Sequence, residues 1–167
     1  MAGKSPKNAE LVDAVIKSNL DLVKDLIAQG VKIDARSDDG LTALYEAVQS
    51  SYQEIALTLI EAGANINAKD KRGETVLMEA IKRKQNRVIQ QLLLRGADIH
   101  TRSRAGQNTL MVAAAFGTSD VIRQLVELGA NIEENDFESL GRAVASSNTE
   151  TIRTLLELGA NPNSCRN

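Results

Sequence analysis

Glycine returns every 33 residues along this chain, at Gly30, Gly63, Gly96 and Gly129, and once more after 30 residues at Gly159. Leucine keeps the same interval at Leu11, Leu44, Leu77, Leu110 and Leu140, and alanine at Ala14, Ala47, Ala80, Ala113 and Ala143. A fixed period of this length marks a repeat array, in which one small supersecondary unit is laid down again and again. Five units follow, the last one three residues shorter than the others.

The unit from Ser37 to Lys69 shows what each repeat must fold into. Gly40 permits a turn with positive φ, and Thr42 suits the N-cap of a short helix. Leu44, Ala47 and Val48 then fall at i, i+3 and i+4, the spacing of a buried stripe. Ser51 and Glu54 have capping-box spacing for a second helix, whose own stripe is Ile55, Ala56, Leu59 and Ile60. Gly63 closes that helix in the left-handed conformation expected just past a helix C-terminus. Each unit therefore reads turn, helix, turn, helix, turn.

Two short helices cannot enclose an apolar core alone, so each unit must bury its stripe against its neighbours, and only several together are stable. The 167 residues, 43% of them hydrophobic, supply enough apolar surface for a single folded array. Only Tyr45, Tyr52, Phe116 and Phe137 are aromatic. The core must therefore be built from Leu, Ile, Val and Ala, with the small Ala of each first helix allowing close approach.

The segments DDGLTALYEA, KRGETVLMEA and RAGQNTLMVAA resemble the D-x-x-G-x-T-P-L-H-x-A-A pattern of ankyrin repeats, and EAGANINAK, LRGADIHTR, ELGANIEEN and ELGANPNS resemble its L-x-x-G-A-D-V-N-A. The resemblance covers about Asn8 to Asn163. It implies an all-α repeat solenoid, an ankyrin-repeat stack of helix pairs with short β-hairpin fingers projecting from one end. The expected repeats are 8–36, 37–69, 70–102, 103–134 and 135–167, in a single domain preceded by a disordered 1–7. In that family the ligand lies along the finger tips and the exposed side of the first helices, the concave surface.

The departures from the pattern also carry information. The Pro slot holds Ala43, Val76 and Thr109 and the His slot Tyr45, Met78 and Met111. Apolar packing is expected to replace the hydrogen bonds those residues make in the family. NIEENDFESLGRAV runs directly into Leu140 without a turn glycine, so the finger between the fourth and fifth units is expected to be short and irregular.

Residues for chemistry are scarce. Nucleophilic or general-base catalysis needs convergent groups, and the chain has one histidine and one cysteine. His100 stands at a finger position and is expected to be structural or solvent-facing, and Cys165 is a tail thiol that cannot form an intramolecular disulfide. One His and one Cys also cannot assemble a thiolate and imidazole zinc site. Ala2, Gly3, Lys4 and Ser5 resemble the end of a phosphate-binding loop but lack its earlier glycine and the strand that feeds it. Carboxylates such as Glu46, Glu79 and Glu157 are expected on solvated helix faces. No enzyme activity and no cofactor are expected.

A net charge of −2 disfavours general attraction to nucleic acid or to an anionic membrane. No apolar run approaches the ~18 residues of a membrane helix, and Met1 to Glu10 contains no hydrophobic stretch of signal-peptide type. The chain reads as soluble, and cytoplasmic by default.

Charge placement points to a binding surface. Between Lys69 and Arg104 stand ten of the twenty Lys and Arg residues against Asp70, Glu74, Glu79 and Asp98. By the resemblance, Lys69, Lys71, Arg72 and Glu74 fall on one finger and Arg102, Arg104 and Gln107 on the next, with Lys82 and Arg83 on the exposed side of the first helix between them. Glu133, Glu134, Asp136 and Glu138 make the last finger acidic, with Phe137 among them. Phe116, at the end of the fourth unit's first helix, aligns with the polar Ser50 and Arg83 and is expected to be a contact anchor. The expectation is a monomeric protein-binding module, an inhibitor or adaptor that covers a partner bearing an acidic patch; the alternative is a scaffold bridging two proteins.

Overall fold

The computed structural model describes residues 6–133 and 136–163, the side chains of 6–9, 136 and 137 excepted. The expected disordered 1–7 therefore lies outside the described residues as far as Ser5, while the first helix already begins at Pro6. Cys165 and Ala2 to Ser5 are outside them too. The chain divides after Ala97 into two compact units.

The first unit holds three helix pairs: α1 (Pro6–Ile16) with α2 (Leu20–Ala28), α3 (Ala43–Gln49) with α4 (Gln53–Glu61), and α5 (Val76–Lys82) with α6 (Asn86–Leu94). α3 packs against both α1 and α5, and α4 against both α2 and α6, so first helices form one layer and second helices another. The second unit repeats the arrangement with α7 (Thr109–Phe116), α8 (Ser119–Glu127), α9 (Asp136–Ala145) and α10 (Thr149–Glu157), α7 against α9 and α8 against α10. Each unit is thus an all-α stack of repeats, the solenoid class that the 33-residue beat implies.

The recurring alanines sit at the tightest points of both stacks: Ala14, Ala47, Ala80, Ala113 and Ala143 are all at most 1% exposed. A larger side chain at these crossings would push the first helices apart. Tyr45, Met78 and Met111 are buried as well, so apolar packing does replace the hydrogen bonds of the family's His slot. At Tyr45 the replacement is incomplete, because its hydroxyl is buried without a hydrogen-bond partner.

Helix starts follow the sequence at the first helices. The Thr42 and Thr75 hydroxyls accept from the N–H of Tyr45 and Met78, and Asn108 does the same for Met111. The capping box expected at Ser51 and Glu54 does not form. Ser51 has φ 61°, and Tyr52 takes the N-cap position with no side-chain bond. Ser51 instead ends α3: its N–H reaches the Val48 carbonyl at 3.1 Å and the Tyr52 N–H reaches Ala47 at 2.8 Å, the paired bonds of a Schellman motif. The preceding helix wins the residue because two backbone bonds outweigh one side-chain cap.

The fingers are smaller than β-hairpins. Arg36 with Thr42, and Lys69 with Thr75, form isolated antiparallel bridges, and no longer ladder occurs among the described residues. The threonine that completes each bridge is also the N-cap of the next helix, so the strand has no residues left to lengthen. Turn side chains hold the tips: Ser37, Asp70 and Ser103, 33 residues apart, accept from the N–H four positions on.

Candidate functional site

The side chains expected to bind a partner divide between the two units. In the first unit the turn after Lys69 and the last turn of α5 come together and draw the basic residues into a network. Arg72 donates through Nε to Asp70 at 3.0 Å and through Nη2 to Glu74 at 3.1 Å. Lys82 Nζ reaches the same Glu74 oxygen at 2.5 Å and lies 3.9 Å from Glu79, to which Arg83 donates at 2.8 Å. Three cations thus face three carboxylates, and the formal charge of the cluster is zero.

Glu79 was expected on a solvated face, yet it is 5% exposed and Glu74 6% exposed. Removing two carboxylates from water is costly unless they are paired, so Lys82 and Arg83 are recruited inward as their counter-ions. Arg83 and Arg72 remain partly open to solvent, while Lys82 keeps only 21% of its side chain exposed. Lys69 and Lys71 are exposed on the finger.

Burial works against ionisation of Asp70, but hydrogen bonds from the Arg72 side chain and from the N–H groups of Glu74 and Arg72 outweigh it, holding its carboxyl below the ordinary value. The Arg72 guanidinium is held more firmly protonated by its bond to Asp70 and by the charges of Glu74 and Asp70. Tyr45 feels the same carboxylates from beneath. Burial first, then the charges of Asp70, Glu79 and Glu74, push its phenol far above the usual range.

In the second unit, Arg102 Nη1 donates to the Gly106 carbonyl at 3.0 Å across its own turn, and Arg104 is exposed. With its oxygen toward α9, the Gln107 amide accepts from both Nη1 and Nη2 of Arg142 at 2.9 Å. Arg142 was not among the expected site residues, and its position in the repeat corresponds to Glu46 and Glu79. Phe116 is 44% exposed at the end of α7. The Phe137 and Asp136 side chains, with Glu134, lie outside the described residues. His100 is exposed, and its backbone N–H is held by Asp98 at 2.8 Å.

The connection after Phe116 differs from the others. Ser18, Ser51, Lys84 and Ser147 all take positive φ between paired helices, whereas Gly117 is extended with φ −80° and ψ −170°. Thr118 then caps α8 through the Val121 N–H, and α7 gains a residue, Phe116 itself. Gly117 is required for space: a Cβ there would lie 2.7 Å from the Ala113 carbonyl oxygen.

Among the described residues, no group of three His, Cys, Asp or Glu side chains is placed to hold a metal ion, and no helix is long and apolar enough to cross a membrane. Among curated proteins, no match was found. The family model for ankyrin repeats, which describes three copies, matches residues 11–103 and again residues 77–165. Helix pairs on the 33-residue beat, buried alanines and capping threonines are the physical content of that match, and the chain belongs to the ankyrin-repeat family, whose members typically bind other proteins and are typically non-catalytic.

Proposed function

We propose that this chain is a non-catalytic inhibitor or adaptor, monomeric by itself, which engages a partner protein through finger and first-helix side chains and covers part of it. The observation that carries the reading is Phe116. The ring is 44% exposed at a position where the second and third repeats carry Ser50 and Arg83. An aromatic side chain spent on the surface gains little for folding, whereas aromatic anchors dominate the energetics of protein interfaces. Glu133 and Glu138 give the same unit acidic groups, and Arg102 and Arg104 give it basic ones. Such a mixed surface suits a specific protein partner better than a polyanion.

Lys69, Lys71 and Arg104 are the cations that would meet an acidic patch. Arg72, Lys82 and Arg83 contribute less, because their charge is already balanced by Asp70, Glu74 and Glu79. The test is to replace Phe116 with a photo-crosslinking phenylalanine analogue in cell extract, using the analogue at the exposed Leu94 of α6 as the control. One protein adduct of defined mass at position 116, absent at 94, is the expected result. No adduct, or the same adducts from both positions, would overturn the reading. In a purified complex, Phe116→Ala should weaken binding by about 2 kcal/mol and leave the urea midpoint almost unchanged.

A further inference from the structure

A groove of about 310 Å³ opens in the first unit between the C-terminal half of α1 and the first finger turn. Its floor is aliphatic, made by Val12 and Ile16, and its walls carry Asp13, Asp38 and Asp39 with Ser37 and Arg36. Ile16 is 52% exposed. In the repeat register it stands where the second and third repeats carry Gln49 and Lys82, so an apolar side chain occupies a position that is otherwise polar. At roughly the lower limit of ligand-pocket volumes, the groove has room for one or two side chains.

The charges of the lining are unequal. Three carboxylates share it with one guanidinium, and Arg36 directs its Nη1 to backbone carbonyls, Gly40 at 2.6 Å and Lys69 at 3.4 Å. The Asp38 and Asp39 positions are fixed by the turn itself, in which the Gly40 N–H returns to the Ser37 carbonyl at 2.9 Å and Gly40 takes φ 82°. Asp13 is held by α1 on the opposite wall. A concave, partly apolar wall focuses such a field. The occupant that satisfies both features presents an aliphatic side chain to Ile16 and cationic side chains to the carboxylates on either side.

We infer that this groove receives an extended segment of a partner protein in which basic and aliphatic side chains alternate. The inference rests on the chain being a protein-binding module, but it uses none of the residues by which Phe116 tests that reading. It also reverses the sign expected from the sequence: the partner segment that meets the first unit is basic, whereas the basic residues of the third repeat are largely balanced within the molecule.

The test is an amide-resolved NMR titration of the full chain with a synthetic peptide of alternating leucine and arginine. Matched peptides carry glutamate in place of arginine, or serine in place of leucine. Shift changes should concentrate at Val12, Ile16 and Ser37 for the leucine–arginine peptide, and both matched peptides should bind at least about tenfold more weakly. Asp13→Asn with Asp39→Asn should weaken binding about tenfold, two exposed charge contacts being lost. Ile16→Ser should weaken it too while preserving the salt dependence. Thermal melts by circular dichroism confirm that each variant folds. Equal binding of the glutamate or serine peptide, shifts spread over other surfaces, or variants that bind as well as the parent would each overturn the groove assignment. Those results would leave the Phe116 crosslink untouched, so the two readings fail separately.

Discussion

Lys82 and Glu79 show how a side chain can be placed on the right face of a helix and still be misread. Both belong to the exposed side of a short first helix by register, but the finger turn folds over that side and delivers Glu74 to Lys82 from eight residues away. Reversal of Lys82 is therefore a folding mutation before it is a binding mutation. Lys82→Glu places a third carboxylate against two that are nearly buried, and it should cost on the order of 3 kcal/mol in a urea melt. Lys71→Glu, on an exposed side chain, should leave stability within about 0.5 kcal/mol. Asp70 gives this cluster a pH signature. Its folded value lies below the unfolded 3.8, so the stability it contributes is fully present above 3.8 and is lost as pH falls through the lower folded value. Asp70→Asn should therefore lower stability at neutral pH and flatten the acid limb below about pH 4, read from urea midpoints across a pH series. Acid limbs of equal steepness in the variant and the parent would remove Asp70 from that account.

At the scale of the element, the turn between paired helices is where local rules and the observed backbone part company. The first-helix starts were legible because a Thr or Asn cap and its N–H target lie three residues apart in the chain. The next turn was not legible, because Ser51 can serve either as a cap for α4 or as the left-handed terminator of α3, and its sequence neighbourhood permits both. Non-glycine residues in the left-handed region cost about 1–2 kcal/mol, partly offset by the added freedom of glycine in the unfolded chain. Ser51→Gly should accordingly raise stability by about 0.5–1 kcal/mol. At the fourth repeat the register's only glycine, Gly117, does not use positive φ, and Gly117→Ala should cost about 1–3 kcal/mol because the methyl meets the Ala113 carbonyl. Chemical denaturation of the two variants checks both signs. The extended Gly117 is also what leaves Phe116 inside α7, so the candidate anchor depends on a turn that periodicity could not distinguish from its counterparts.

At the scale of the whole molecule, each unit contains its own stacked pairs and its own buried leucines and alanines. In repeat proteins stability is close to a sum of repeat and neighbour terms. A chain ending after Ala97 should thus keep the helical circular dichroism of three pairs and unfold in a weakened but cooperative urea transition; loss of helix in that fragment would show that its repeats cannot hold together alone. The sequence by itself determined the five-fold period, the alternation of first and second helices, the alanines at the crossings, the capping threonines and the apolar filling of the family's His slot. Each of these is a property of spacing along the chain, and a regular helix converts spacing into a face. Only the tertiary structure decided which charges are available to a partner, why the fingers stop at a single bridge, and that an aliphatic floor at Ile16 lies beside carboxylates from the next turn. Charge compensation and groove formation depend on distances between segments, and the hydrophobic period that sets the fold carries no information about which polar groups those segments bring within 3 Å of one another.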